Sequence, residues 1–317
     1  MSIEDFDLDV ATGERIVALA EPGFQTETVV RLTGGRNSAV FEVRSRDGRS
    51  LVVKLYSDRF HWKMEKEVFV YERMQQHALT ATLPKILAAD DSKELVSQNV
   101  LVMTKVDGKH VDSLIANLDE RDLVEINRQV GSTLAELHRI EFAEFGYVGT
   151  DGVVEGHATN LAYMSFQFDK KLREFDEHGG DDDLRRMIER YVAEREQLLT
   201  TPTHPAFCHN DCYYGNVLVL PEQEGWRVSG LVDFENVLAG DPLLDLAKTH
   251  GYARERRSEA TLAALAEGHG ALRDNWREAL DLYVLYHWIE LWDWFAYLGR
   301  TEPLAGLTRD ISQLVSA

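Results

Sequence analysis

Residues 207–217 read Phe207-Cys208-His209-Asn210-Asp211-Cys212-Tyr213-Tyr214-Gly215-Asn216-Val217. An aspartate and an asparagine stand five residues apart in a loop that feeds an apolar run starting at Val217. A second aspartate follows in Leu231-Val232-Asp233-Phe234-Glu235, at the end of the apolar run Val228–Val232. Gly240-Asp241-Pro242-Leu243-Leu244-Asp245-Leu246-Ala247 then closes a loop and opens a helix. A single loop aspartate is most often an Asx-turn or a helix cap. The ordered set is far harder to obtain by accident.

Phosphoryl transfer asks for this inventory. One carboxylate must orient an acceptor hydroxyl and take its proton. Hard oxygen ligands must hold Mg²⁺, which keeps several waters and takes one or two carboxylates beside phosphate oxygens. Asp211 suits the first task, and Asn216 and Asp233 suit the second. The order His-x-Asp-x-x-x-x-Asn, then hydrophobic-hydrophobic-Asp, then Gly-Asp-Pro-x-x-Asp-Leu-Ala resembles the aminoglycoside phosphotransferase and small-molecule kinase superfamily. The resemblance runs over residues 28–298, nearly the whole chain. It implies a bilobal protein-kinase-like fold in which Asp211 is the catalytic base, Asn216 and Asp233 bind magnesium, and His209 buttresses the catalytic loop. Asp245 would tie the Gly-Asp-Pro loop to that loop. Two positions depart from the pattern: Asn210 stands where glycine is most common, and Cys212 where leucine is usual. Both flank the base without replacing it. Cys208 and Cys212 read as small core residues rather than reactive thiols.

Around this centre the chain divides by character. Thr28–Thr33, Ala39–Ser45 and Leu51–Tyr56 read as strands separated by glycine turns. A helix over His61–His77 and strands over Lys85–Ala88 and Asn99–Lys105 follow. Beyond Asp107-Gly108 the pattern is helical. Asp119 is an N-cap, and Leu123, Ile126, Val130, Leu134 and Leu137 make one apolar face. Further helices are expected over Leu161–Glu177 and Leu184–Leu199, a hairpin over Val217–Leu220 and Val228–Val232, and helix again at the end. The expected architecture is α+β. A small five-stranded antiparallel β N-lobe with one helix, residues 1–105, binds nucleotide. A larger, mainly α C-lobe, residues 106–317, carries the catalytic loop and acceptor site.

Thr33-Gly34-Gly35-Arg36-Asn37-Ser38 lies between two of the strands. Glycines let backbone N–H groups approach a phosphate, although a Gly-Gly hairpin alone would read the same way. Gly34, Gly35, Asn37 and Ser38 are the candidate contacts. Lys54 interrupts the apolar strand Leu51–Tyr56, where an unpaired buried ammonium would be costly. The resemblance implies that this lysine meets the α- and β-phosphates and pairs with a glutamate on the next helix. Glu65, Glu67 and Glu72 are the candidates. Glu67 shares the stripe Met64, Glu67, Tyr71, Met74 and is preferred, with Glu65 as the alternative. By resemblance, Val100–Gly108 holds the hinge between lobes, with adenine at backbone groups near Thr104 and Val106. The cofactors implied are Mg²⁺ and ATP; backbone recognition does not separate ATP from GTP.

Leu280–Leu298 is apolar nearly all round and reads as a buried helix. His287, Glu290 and Asp293 are its polar exceptions. With Glu235 they are the candidate acceptor contacts, because carboxylates among aromatics suit a hydroxylated cation. The other reading is that partners within the C-lobe satisfy them. Lys and Arg number 34 against 54 Asp and Glu, a net charge of −20. That excess argues against nucleic acid and anionic membrane surfaces and favours a cationic small molecule, or serves solubility alone. Two cysteines exclude a disulfide scaffold, and no apolar run spans a bilayer. The acidic start MSIEDFDLDV is no secretory signal, so a cytoplasmic monomer or homodimer is expected. The leading reading is an ATP-dependent kinase acting on a small-molecule hydroxyl, that of an aminoglycoside-like antibiotic. The alternatives are a metabolic or nucleoside-type kinase and a catalytically silent nucleotide-binding module on the same fold. The silent module is disfavoured because Lys54, Asp211, Asn216 and Asp233 are all present.

Overall fold

The computed structural model describes residues 6–32, 38–80, 82–270 and 272–317. Two compact units emerge: Met1–Gly108 with Gly149–Gly152 and Ser229–Glu235, and the remainder. Each unit is therefore discontinuous in sequence.

In the first unit, strands β1 (Thr26–Arg31), β2 (Ser38–Ser45), β3 (Ser50–Tyr56), β4 (Ile86–Asp90) and β5 (Asn99–Thr104) form one antiparallel sheet. Its order is β1-β2-β3-β5-β4. The pleat decides what each face carries. Leu51, Val53 and Leu55 of β3 join Phe41, Val43, Val100 and Val102 in a core closed by Ile16 and Val17 of helix α1 (Val10–Val17). Lys54 and Tyr56 alternate to the opposite face and meet helix α2 (His61–Gln75). Helix α1 is not expected from the sequence. It is too short to show a period, and its start is set by Asp9, whose carboxylate accepts from the Thr12 N–H at 2.7 Å.

The second unit opens with β6 (Lys109–His110), α3 (Val111–Leu114) and α4 (Glu120–Leu137). Asp119 caps α4 in a reciprocal box with Asp122. Strands β7 (Phe145–Val148) and β8 (Val153–His157), helices α5 (Asn160–Glu177) and α6 (Asp182–Ala193), and strand β9 (Ala206–Cys208) follow. The expected helix to Leu199 stops at Ala193. A separate 3-10 turn over Glu196–Thr200 buries Leu198 and Leu199 instead. Next come β10 (Val217–Glu222), β11 (Gly225–Leu231, whose residues from Ser229 on belong to the first unit), β12 (Leu238–Gly240), α7 (Leu243–Tyr252), α8 (Glu259–His269), α9 (Trp276–Tyr297) and α10 (Leu304–Ser316). The strands form two small sheets, β11-β10-β6 and β8-β7-β12-β9.

Helix α9 is the spine of this unit. Leu282 to Ile289 are buried without a break, and α5, α7 and α10 pack around it. Each enclosed Leu, Val or Ile contributes about 1.5–3 kcal/mol of transfer free energy. Helices α4 and α8 touch backbone to backbone. A Cβ on Gly131 would stand 2.1 Å from the Leu265 carbonyl oxygen, and one on Gly268 would stand 1.9 Å from that of Arg128. Among the described residues, no helix is long and apolar enough to cross a membrane.

Candidate active site

In the first unit, the charges on β3, α2 and residues 233–235 are interlocked. Lys54 Nζ donates to Glu67 Oε1, which also accepts from Tyr56 Oη at 2.8 Å. Asp233 Oδ1 lies 3.7 Å from the same ammonium. One turn before Glu67, Lys63 bonds Glu235 at 3.0 Å. Phe234 packs edge-on against Tyr71 with ring centroids 5.5 Å apart. Burial alone would strip the Lys54 proton, but Glu67, Tyr56, Asp233 and Glu235 outweigh it and hold the ammonium charged. Lys66, fully enclosed, is drawn down to about 6 by burial and by Lys63. Asp233 has φ +68, a left-handed conformation that a non-glycine residue adopts where its surroundings impose it.

A divalent cation fits this donor set. Glu67, Asp233 and Glu235 each bring a carboxylate oxygen within 4.8 Å of the others. Glu67 Oε2 is buried without a hydrogen-bond partner. Hard oxygens of this kind suit Mg²⁺.

In the second unit, β9 delivers the chain into the loop at His209. Asp245, on the first turn of α7 and fully enclosed, accepts from the His209 N–H at 2.8 Å and the Asn210 N–H at 2.6 Å. Asn210 has φ +58. This explains the departure from glycine, because asparagine is among the few residues that tolerate the left-handed region. The Asp211 N–H donates to His209 Nδ1 at 3.2 Å. Asn216 Nδ2 donates to the Asp211 carbonyl at 2.9 Å and to its Oδ2 at 3.2 Å. Asn236 Nδ2 adds a third bond, to Asp211 Oδ2 at 3.3 Å. The sequence reading missed Asn236, which belongs to no motif and arrives only through the tertiary fold. Burial raises the Asp245 carboxyl, but His138, His209 and the Asn210 amide outweigh burial and hold it below its ordinary value. Burial pushes both the Cys208 and Cys212 thiols up, so neither is a thiolate.

The expected acceptor residues fare differently. His287 is fully enclosed. Its Nε2 meets the Leu244 carbonyl at 2.9 Å and its Nδ1 meets Glu290 at 3.3 Å, so it cannot touch an acceptor. Asp293 is buried and bonded to His178, with Lys171 at 4.0 Å. Glu235 is committed to Lys63 in the first unit. For His287 and Asp293 the alternative holds, since partners within the C-lobe satisfy them; Glu235 is instead satisfied by Lys63 of the first unit, a pairing neither reading anticipated. Glu290 is the exception. It bonds Lys248 at 2.7 Å yet leaves 26 % of its side chain exposed. On the nucleotide side, the Thr104 N–H is committed to the Lys85 carbonyl at 2.9 Å, and Val106 is buried. Thr104 therefore offers no amide to a base. Gly34, Gly35 and Asn37 lie outside the described residues. Ser38 opens β2, buried and opposite Tyr56.

An antiparallel five-stranded sheet with helices α1 and α2, followed by a helical unit whose loop is anchored by an enclosed aspartate, defines a protein-kinase-like fold. Three solved structures share it. A putative fructosamine-3-kinase from Thermobifida fusca YX-ER1 is 19% identical, covers 96% of this chain and 100% of its own, and has a TM-score of 0.68. A thermostable mutant of aminoglycoside phosphotransferase APH(4)-Ia, in ternary complex with AMP-PNP and hygromycin B, is 17% identical over 96% and 97%, TM-score 0.69. The GDP and kanamycin complex of APH(2")-IIia is 14% identical over 96% and 98%, TM-score 0.67. No curated protein matches the sequence. The model of the phosphotransferase enzyme family matches residues 28–282, and the chain belongs to that family. It is a kinase-type phosphotransferase.

Proposed function

We propose that the protein moves the γ-phosphoryl group of ATP to a hydroxyl of a small, cationic, polyhydroxylated acceptor of the aminoglycoside kind. The observation that carries the chemical part is the state of Asp211. Its carboxylate accepts from Asn216 and Asn236, and its own amide is tied to His209. A carboxylate held in one orientation by these donors is aimed, which is what a residue that takes a hydroxyl proton requires. Lys54, held charged by Glu67, serves the phosphates. Asn216 and Asp233 would hold Mg²⁺, which when bound neutralises charge on phosphate oxygens. In this reading catalysis is mainly positioning and charge neutralisation.

The acceptor class rests on charge. A chain carrying −20 attracts a polycation over a distance that salt shortens to about 8 Å at physiological ionic strength. Partly exposed Glu290 supplies a local carboxylate. The neighbours bound to hygromycin B and kanamycin are in keeping with this reading, and the AMP-PNP and GDP complexes leave ATP and GTP both in play. The full-length likeness to a putative fructosamine-3-kinase favours a second reading, a metabolic kinase of sugar-amine adducts. An ADP-release screen of aminoglycosides, fructosamines, choline, sugars and nucleosides, with ATP and GTP in parallel, separates the two. The proposal expects amino sugars to turn over, with an apparent KM that rises with added salt. Inert amino sugars beside an active neutral or acidic compound would refute the acceptor class and leave phosphoryl transfer standing.

A further inference from the structure

Behind the Asp211 loop, two histidines extend the hydrogen bonds of Asp245 into the helical unit. His138 caps the C-terminus of α4 and His269 ends α8. The backbone contact permitted by Gly131 and Gly268 brings these helices together, and His269 Nε2 lies 2.9 Å from His138 Nδ1. His138 Nε2 lies 2.9 Å from Asp245 Oδ2, the oxygen that also accepts the His209 amide. Both imidazoles and the carboxylate are buried.

The protons along this chain can be assigned. An ionised carboxylate only accepts, so His138 donates through Nε2. His138 Nδ1 is then the acceptor for the Nε2–H of His269. The remaining nitrogen, His269 Nδ1, is buried without a hydrogen-bond partner. With this direction it carries a lone pair. With the reverse direction it would carry a buried orphan N–H, the costlier outcome. Burial, with His138 beside it, draws His269 down to about 4, so the ring is neutral near pH 7 and has one proton to place.

We propose that His269 is a positioning residue for phosphoryl transfer: by donating to His138 it fixes the tautomer through which Asp245 grips the two amides ahead of Asp211. This rests on Asp211 as the base, the reading given above. The residue that reaches Asp245 thus depends on a helix some 130 residues further along the chain, positioned by two glycines.

Two variants separate donation from packing. Leu at 269 fills the space without a donor; Gln presents an amide N–H where Nε2 stood. The expected result for His269→Leu is displaced amide signals of His209 and Asn210 by NMR. Hydrolysis of MgATP without added acceptor should have a kcat lowered about tenfold with KM for ATP little changed, a size typical of misplacement by a fraction of an ångström. His269→Gln restores both readouts to within about twofold of the original. Independently of any variant, ¹⁵N imidazole shifts of the intact protein near pH 7 should show His138 and His269 each protonated at Nε2 alone. A doubly protonated His138, unmoved His209 and Asn210 amides, or equal impairment of the Leu and Gln variants would overturn the proposal. An intact protein that neither hydrolyses MgATP nor releases ADP with any acceptor of the screen would overturn the kinase reading of Asp211 instead, while the imidazole and amide signals would still decide the tautomer.

Discussion

Asn216 bonds Asp211 twice through one nitrogen, at 2.9 Å to the main-chain carbonyl and at 3.2 Å to the carboxylate. The amide thereby fixes the base through its nitrogen, and its own carbonyl oxygen takes no part in these two bonds. In the proposed reaction that oxygen serves Mg²⁺, so one residue couples the orientation of the base to the metal.

The coupling makes Asn216→Ala a double loss. Turnover should fall by at least ~10²-fold, the scale of removing a positioned catalytic element. The Mg²⁺ concentration giving half-maximal rate should rise as well. A magnesium titration of turnover checks both. An unchanged magnesium midpoint would remove Asn216 from the metal.

Lys54 and Glu67 form an enclosed pair, and breaking such a pair leaves a buried charge. Lys54→Met should cost about 3–5 kcal/mol in urea unfolding, and the double change Lys54→Met with Glu67→Gln should cost less than the single one. If the double variant is the less stable, the pair is not the unit of stability here.

One buried and one half-buried histidine, His269 and His250, predict acid sensitivity. Burial draws His250 and His269 each down to about 4 from an ordinary 6.5. Their folded values lie below the unfolded ones, so the unfolded chain takes up protons first as pH falls. Stability is fully present above about 6.5 and is lost down to about 4, at up to about 1.4 kcal/mol per pH unit for each ring. Urea midpoints measured from pH 7.5 to 4.5 should fall, and His250→Gln should flatten the slope. A slope that does not change on that substitution would exclude His250 as a source.

The α4–α8 contact tolerates no side chain. Gly131→Ala drives a methyl into the Leu265 carbonyl and should destabilise by about 1–3 kcal/mol or more. Because the same contact carries His269 to His138, the variant should also displace the His209 and Asn210 amide signals. Thermal unfolding and an amide spectrum check the two effects together.

What the sequence made legible is what is local along the chain. Lys54 betrays itself by interrupting an apolar strand, and Glu67 by sharing a buried stripe with Met64, Tyr71 and Met74. The loop from His209 to Asn216 holds its chemistry within one turn of chain, and Asn210 keeps the left-handed conformation that a glycine would otherwise supply. What was hidden depends on partners far away. His287 and Asp293 look like ligand contacts on one helix, but the Leu244 carbonyl, His178 and Lys171 reach them from α7, α5 and the segment after α5. Asn236 and His269 carry no motif at all. Helix α1 and the three-residue strands β9 and β12 are too short for any period to show.

The central claim is that Asp211 takes the proton of the acceptor hydroxyl. Asp211→Asn keeps the size of the side chain, so the fold and nucleotide binding should persist. With the acceptor identified by the ADP-release screen, single-turnover transfer from ATP measures the step directly. The account predicts a rate lowered by at least ~10²-fold, the usual scale for losing a general base, with ATP affinity by calorimetry changed less than about threefold. Near-normal transfer by the asparagine variant would contradict it.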